Sequence, residues 1–316
     1  MNENALVRAA ELDLMLSKVS VELFHIIDSH FHEDSLNQMA KGYVRYKNSE
    51  TLLWPQLTLY THYMLGGNSP YIYHAAAQTE LIILSLDILD DLQDQDNPLP
   101  PWMQIEPAIA MNCASGLLIA AIAGSRGKPM DTTALTLLST AHNGQHKDIQ
   151  NLIESEEEYL QLIAEKSASL LNLSIQSAYQ LVDEASPLTA SILAEFARNV
   201  GIAAQLRNDL KGLTDFREHN DIVQRKKTLA TLYLLDQSSR LDPFLRNYYE
   251  GNVTFRELLA GEQQLTEFIT TSGVFEYSTA VQFLYLQQAD RILTEITALQ
   301  PWKLRLRSIT IDAFLN

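Results

Sequence analysis

The sequence predicts an all-α protein, a single large helical bundle, and three observations carry that expectation. Apolar residues recur at three- and four-residue spacing almost throughout, the period of one helix face. Stretches of period two, which mark half-buried strands, are scarce. The 10 Pro and 12 Gly are few for 316 residues, and several gather at breaks in the periodicity.

Taken in order, the periodicity places helices at about 5–30, 35–46, 52–65, 72–94, 104–124, 132–144, 156–183, 188–214, 225–236, 254–270 and 275–298. A shorter helix falls near 303–314. Punctuation sets the limits. Gly66-Gly67-Asn68-Ser69-Pro70 ends the third helix, and Asn97-Pro98-Leu99-Pro100-Pro101 follows the fourth. Ser186-Pro187 and Gln300-Pro301 separate later elements. No break is long or polar enough for an interdomain linker and no fixed-period repeat occurs, so residues 1–316 are expected to form one domain.

Composition narrows the function. With 46% hydrophobic residues the chain can bury a sizeable core. Its 39 Asp and Glu against 23 Lys and Arg give a net charge of −16, which argues against a nucleic-acid partner. An anionic substrate on so acidic a protein needs metal ions between carboxylate and phosphate. The single cysteine, Cys113, excludes an intramolecular disulfide and a Cys-based zinc site. The start, MNENALVRAAELDL, lacks a basic segment followed by an apolar one, so a cytoplasmic location is expected. Ile105–Gly124 is the most membrane-like stretch, but Glu106, Pro107 and Asn112 fit a core helix better. Peripheral membrane contact, to collect a greasy substrate, is compatible with this composition.

The most informative segment runs Glu80-Leu-Ile-Ile-Leu-Ser-Leu-Asp87-Ile-Leu-Asp90-Asp91-Leu-Gln-Asp94. Asp87, Asp90, Asp91 and Asp94 fall at i, i+3, i+4 and i+7, so a helix puts all four carboxylates on one face. They repel one another, and near a helix C-terminus the dipole disfavours them further. An acidic run is most often a solvated face. Here the preceding turns are almost wholly apolar, which fits a stripe that receives hard cations such as Mg²⁺.

A second stripe tips the balance. In Gly201-Ile-Ala-Ala-Gln205-Leu-Arg-Asn208-Asp209, the side chains of Gln205, Asn208 and Asp209 repeat the i, i+3, i+4 geometry after an apolar run. Two such helices facing each other would clamp a metal–diphosphate cluster. Lys166, among small and apolar neighbours, and Lys226 in Arg225-Lys226-Lys227-Thr228 can neutralise diphosphate oxygens. For Lys166 the alternative is snorkelling to solvent.

These segments resemble class I isoprenyl diphosphate synthases. Asp90-Asp91-Leu-Gln-Asp94 is similar to their DDxxD motif, and Gly201…Gln205…Asn208-Asp209 to their GxxxQxxDD motif. Lys166-Ser167 resembles their Lys-Thr pair, Lys226-Lys227-Thr228 their K-x-T segment, and Gln145 with Asp148 a further active-site stretch. All five occur in family order over about residues 50–235. The resemblance implies the isoprenoid synthase bundle with its central active-site cavity, Mg²⁺ as cofactor and an allylic diphosphate as substrate. It implies metal ligation by Asp90, Asp91, Asp94, Asn208 and Asp209, with Lys166, Lys226 and Gln205 as donors to the diphosphate. Homodimers are common in that family. Ser85 and Leu86, one turn before Asp90, lie where the isoprenoid tail would run.

Departures from the family pattern concern the second substrate. Chain-elongating members bind isopentenyl diphosphate with a G-K-x-x-R-P segment and a His seven residues before the first motif. Here Thr51 stands for the Lys, Trp54 for the Arg and Ile83 for the His, while Asn97-Pro98-Leu99-Pro100-Pro101 replaces an Arg-Arg-Gly. A diphosphate is hard to desolvate without those cations, so an uncharged acceptor is expected. Together with ELIILSLDILDDLQDQDN, GQHKDI and NDIVQRKKTLATLYL, this resembles the family's ComQ branch, bacterial quorum-sensing enzymes that prenylate a tryptophan of the ComX pheromone precursor peptide. That resemblance implies a geranyl or farnesyl diphosphate donor and a Trp indole acceptor. Three readings stand against it: a terpene cyclase, a short-chain elongating synthase, and a non-catalytic synthase subunit. A cyclase motif would match Asn208 and Asp209, but Gly212 and Phe216 occupy its last two ligand positions. Gly212 also leaves the second motif without its third acid, and Asp215 lies off register.

Overall fold

A computed structural model describes residues 3–48, 52–95, 97–125, 127–214, 221–241 and 243–315. Thr51, Asp215 and Phe216 lie outside them. In chain order the helices are α1 (Glu3–His30), α2 (Asp34–Lys47), α3 (Leu53–Met64), α4 (Ile72–Asp94), α5 (Pro107–Ala123), α6 (Thr132–Gln150), α7 (Glu156–Ile163) and α8 (Ser169–Tyr179). There follow α9 (Pro187–Thr214), α10 (Leu229–Leu241), α11 (Phe244–Tyr249), α12 (Phe255–Ala260), α13 (Glu262–Thr271), α14 (Val274–Glu295) and α15 (Trp302–Thr310). Among the described residues there is no strand, only an isolated bridge between Ser125 and Lys128.

The described residues divide into two compact units. The first comprises 1–139, 170–197 and 292–316; the second comprises 140–169 and 198–291.

In the first unit α4 is the spine, packing against α5, α3 and α1. It is buried at every position from Ile72 to Ser85 except Tyr73, because its apolar residues cover all sides rather than one stripe. Gln78 Nε2 donates to the Ala121 carbonyl at 2.8 Å and Ser85 Oγ to that of Ala114, also at 2.8 Å. The reversed order of these pairs makes α4 and α5 antiparallel. The small residues Ala110, Cys113, Ala114, Ala120 and Ala121 of α5 are buried and permit the close approach. α4, not 105–124, is the one described helix long and apolar enough to cross a membrane, and 72% of its apolar window is buried inside the protein. It is a core helix. It stops at Gln95, in the left-handed region at φ 54°, ahead of a Pro-rich stretch that closes as a 3-10 turn over Pro101–Gln104.

The second unit departs most from the periodicity. The helix expected over 156–183 is interrupted: α7 runs into a wider π turn, Ala164–Ala168, after which α8 continues as part of the first unit from residue 170. α6 runs past Gly144 to Gln150, and α10 begins at Leu229 because Arg225 adopts φ 55°. The stretch expected as 254–270 breaks at Gly261, and α11 falls where no helix was expected. Capping boxes open α7 (Ser155 with Glu158) and α12 (Thr254 with Glu257). One core gathers Leu213, Ile222, Leu234, Leu245, Tyr248, Leu258 and Leu265. Another gathers Tyr159, Leu162, Ile163, Ile202, Leu206 and Leu229.

Candidate active site

In the first unit the acidic stripe emerges where α4 leaves the core. Asp87, Asp90, Asp91 and Asp94 are half-buried on one face, behind the buried Ile88. Asp87 and Asp91 are held by neighbours the sequence reading missed. Lys47 Nζ, from the end of α2, lies 2.9 Å from an Asp87 oxygen. Trp102 Nε1 donates to Asp91 Oδ2 at 2.7 Å. The Trp102 ring is 3% exposed and meets the edges of Tyr43 and Tyr46 at 5.4 Å each. Asp91 is thus oriented by an indole, on a ring that is itself fixed.

Other predicted residues of this unit lie deeper. Ser85 is fully buried with its hydroxyl on the Ala114 carbonyl, and Ile83 is 1% exposed. Leu86 is half-buried one turn before Asp90, and Trp54 is half-buried in the first turn of α3.

In the second unit the predicted residues come together around the π turn. Gly144 of α6 approaches so closely that a Cβ there would lie 2.3 Å from the Lys166 backbone nitrogen. A Cβ at Gly201 of α9 would lie 2.5 Å from Ala168 Cα. The turn is therefore gripped by two glycines, each belonging to a motif read from the sequence. Held there, Lys166 Nζ lies 2.7 Å from Asp148 Oδ2, both side chains about one-fifth exposed. Next to it, Ser167 Oγ donates to Gln205 Oε1 at 2.9 Å, and Gln205 Nε2 donates to Asp209 Oδ1 at 2.9 Å. The Tyr159 hydroxyl donates to Asp209 Oδ2. Gly201, Gln205 and Asp209, four residues apart, thus meet Ala168, Ser167 and Tyr159 in reverse order along one face.

Asp209 is 6% exposed. Burial pushes its carboxyl up to about 7, and the nearby carboxylates of Asp221 and Asp148 add to the rise against the two hydrogen bonds. Tyr159 is held well above the usual phenol range by burial and by Asp209, so it stays a donor. Asn208 is exposed, while Gln145 is half-buried on α6. Lys226 is half-buried on a fixed backbone: its carbonyl accepts from Thr231 Oγ1 at 2.9 Å and from the Tyr249 hydroxyl at 3.2 Å. Asn151 bonds the Arg225 carbonyl and the Lys227 amide on either side of it. Arg225 stacks over Tyr248 at 4.5 Å and reaches the Val253 carbonyl. Of the basic run, Arg225 therefore serves the fold.

The donors suit Mg²⁺. All are hard oxygens, and the burial and like-charge repulsion that raise Asp209 are what a cation relieves. Among the described residues no three His, Cys, Asp or Glu side chains gather as a metal cage. Mg²⁺ takes one or two carboxylates and completes its octahedron with water and phosphate oxygens. In the first unit the stripe of Asp87, Asp90, Asp91 and Asp94 offers such carboxylates; in the second Asp209 offers a buried one.

Two predictions follow from this geometry. Gly→Ala ordinarily stabilises a helix by up to about 1 kcal/mol, but Gly144→Ala and Gly201→Ala must push backbone aside and should lose about 1–3 kcal/mol in denaturant melts. A gain in stability would contradict the gripped turn. Asp209 folds with its carboxyl above the unfolded value of 3.8, so the stability it contributes when protonated is lost as pH rises through about 7. Without metal, thermal melts of Asp209→Asn should therefore fall less steeply between about pH 5 and pH 8 than those of the wild type. Parallel curves would argue against the raised carboxyl.

A polyprenyl synthetase family model matches residues 52–258. A tryptophan prenyltransferase ComQ from Bacillus subtilis subsp. natto is 30% identical over 277 residues, covering 85% of this chain and 84% of its own. A geranylgeranyl diphosphate synthase from Sulfolobus acidocaldarius is 26% identical over 66% of this chain and 74% of its own. A crystal structure of a geranylgeranyl pyrophosphate synthase from Corynebacterium glutamicum, complexed with isoprenyl diphosphate and magnesium, superposes with a TM-score of 0.78 at 19% identity, over 96% of this chain and 99% of its own. The all-α architecture without a sheet is that of the isoprenoid synthases. With that fold, two acidic motifs and a matched segment of more than half its length, the chain belongs to the polyprenyl synthetase family of class I isoprenoid synthases, whose chemistry is Mg²⁺-dependent prenyl transfer.

Proposed function

We propose that the protein transfers a geranyl or farnesyl group from its diphosphate to a tryptophan of a small pheromone-precursor peptide. The observation that carries this is the loss of cations on the acceptor side. Trp54 and Ile83 stand where chain-elongating relatives carry Arg and His, and Ile83 is buried in the core. Lys47, a base that reaches the stripe, already neutralises Asp87. A second diphosphate would be desolvated there without adequate compensation, whereas an indole needs none. The likeness to the ComQ tryptophan prenyltransferase over 85% of the chain supports the same acceptor.

In this mechanism Asp90, Asp91 and Asp94 of the first motif, with Asp91 oriented by Trp102, and Asn208 and Asp209 of the second would be the groups that hold Mg²⁺. Mg²⁺ held there would supply electrostatic stabilisation of the leaving pyrophosphate. Lys166 exchanges Asp148 for a phosphate oxygen, and Lys226 adds a second positive charge. The allylic C–O bond breaks and pyrophosphate leaves; indole C3 then attacks the allylic cation to form the new C–C bond, and the indole nitrogen gives up its proton to pyrophosphate. Water must be kept from this step, because it would otherwise capture the allylic cation.

A second reading is chain elongation onto isopentenyl diphosphate. It is favoured by the likeness to geranylgeranyl diphosphate synthases, in sequence over two-thirds of the chain. Mass spectrometry separates the two readings. Purified protein, Mg²⁺ and geranyl or farnesyl diphosphate are offered a Trp-containing precursor peptide in one arm and isopentenyl diphosphate in another. The proposal expects a prenyl increment on the peptide Trp, abolished by EDTA and lowered at least ~100-fold by Asp90→Ala. A lengthened diphosphate with an unmodified peptide would establish elongation instead. A cyclised hydrocarbon formed without acceptor would overturn both readings.

A further inference from the structure

We infer that Tyr159 is a positioning residue for the second acidic motif: its buried hydroxyl orients the Asp209 carboxylate for the cation that accompanies the diphosphate. The inference rests on the metal–diphosphate reading of the site.

Tyr159 is 3% exposed, in the first turns of α7, and its ring packs with Leu162, Ile163, Ile202, Leu206 and Leu229. Nothing in that apolar setting calls for a hydroxyl. Phe would fill the same space, so the oxygen needs a separate reason. Its hydrogen bond to Asp209 Oδ2 supplies one.

The opposite oxygen, Oδ1, accepts from Gln205 Nε2, whose own amide is oriented by Ser167. The carboxylate is held at both oxygens, and its plane and rotamer are fixed. Each oxygen has two acceptor sites, and one donor on each leaves one lone pair per oxygen for a cation. Without the phenol, Asp209 keeps a single anchor and can rotate about its terminal torsion. Partners that orient a metal-binding carboxylate typically change metal affinity or activity by about 10–100-fold when removed.

Tyr159→Phe keeps the ring and deletes the donor. The test uses thermal shift of the full-length protein, titrating Mg²⁺ at fixed inorganic pyrophosphate, alongside prenyl-transfer kinetics over the same Mg²⁺ range. In Tyr159→Phe the Mg²⁺ concentration for half-maximal stabilisation should rise about tenfold. The kinetic Mg²⁺ requirement should rise in parallel, with kcat at saturating Mg²⁺ within a few-fold of wild type. Ile202→Val loosens the same core without touching the hydroxyl and should leave both Mg²⁺ midpoints unchanged. Unchanged midpoints in Tyr159→Phe, or an equal displacement in Ile202→Val, would overturn the inference while leaving the proposed function in place. Absence of any Mg²⁺–pyrophosphate stabilisation in the wild type would overturn the metal–diphosphate reading and this inference with it.

Discussion

Carboxylates placed close together in poorly hydrated surroundings repel one another, and much of the local structure around both acidic motifs exists to tolerate that repulsion. In the first unit Lys47 neutralises Asp87 and the Trp102 indole binds Asp91. In the second unit Tyr159 and Gln205 donate to Asp209, yet burial, with the nearby Asp221 and Asp148, still holds its carboxyl well above the ordinary range. The compensation is incomplete in the second unit. A buried carboxylate in that condition, on a protein of net charge −16, fits the Mg²⁺-dependent chemistry of the family.

Geometry in the second unit depends on the π turn at Ala164–Ala168. A π turn adds a residue to the helical circuit and frequently marks a functional site. Here it presents Lys166 toward Asp148 and Ser167 toward Gln205 from consecutive positions. Gly144 and Gly201 make the arrangement possible, because any side chain at either would collide with the turn's backbone. The glycines that open two of the sequence motifs are thus packing requirements of the turn.

Much of this was legible beforehand. α4 declared itself through an uninterrupted apolar run ending in acids at helical spacing, and the described residues reproduce its expected bounds. Lys166, Gln205 and Asp209 were readable because charged and amide side chains stand out among apolar neighbours. Tyr159 and Trp102 were not. Both occupy apolar-periodic positions, where an aromatic reads as core, and the polar end of the ring gives no signal in the pattern. The π turn was hidden for a related reason: one extra residue per turn leaves the local spacing of apolar residues nearly unchanged, so 156–183 read as a single helix. Asn208 and Asp209 looked equivalent by spacing, but Asn208 is exposed while Asp209 is buried. Residues 105–124 drew attention as the apolar stretch, but α5 is too short to span a membrane, and the longer α4, which is long enough, is core.

The central claim is that the acidic motifs bind diphosphate only through divalent cations. Isothermal titration of inorganic pyrophosphate into the protein, with Mg²⁺ and then with EDTA, tests it directly. Saturable binding with Mg²⁺ that disappears in EDTA is the predicted result. Equal binding in EDTA, carried by Lys166 and Lys226 alone, would contradict it.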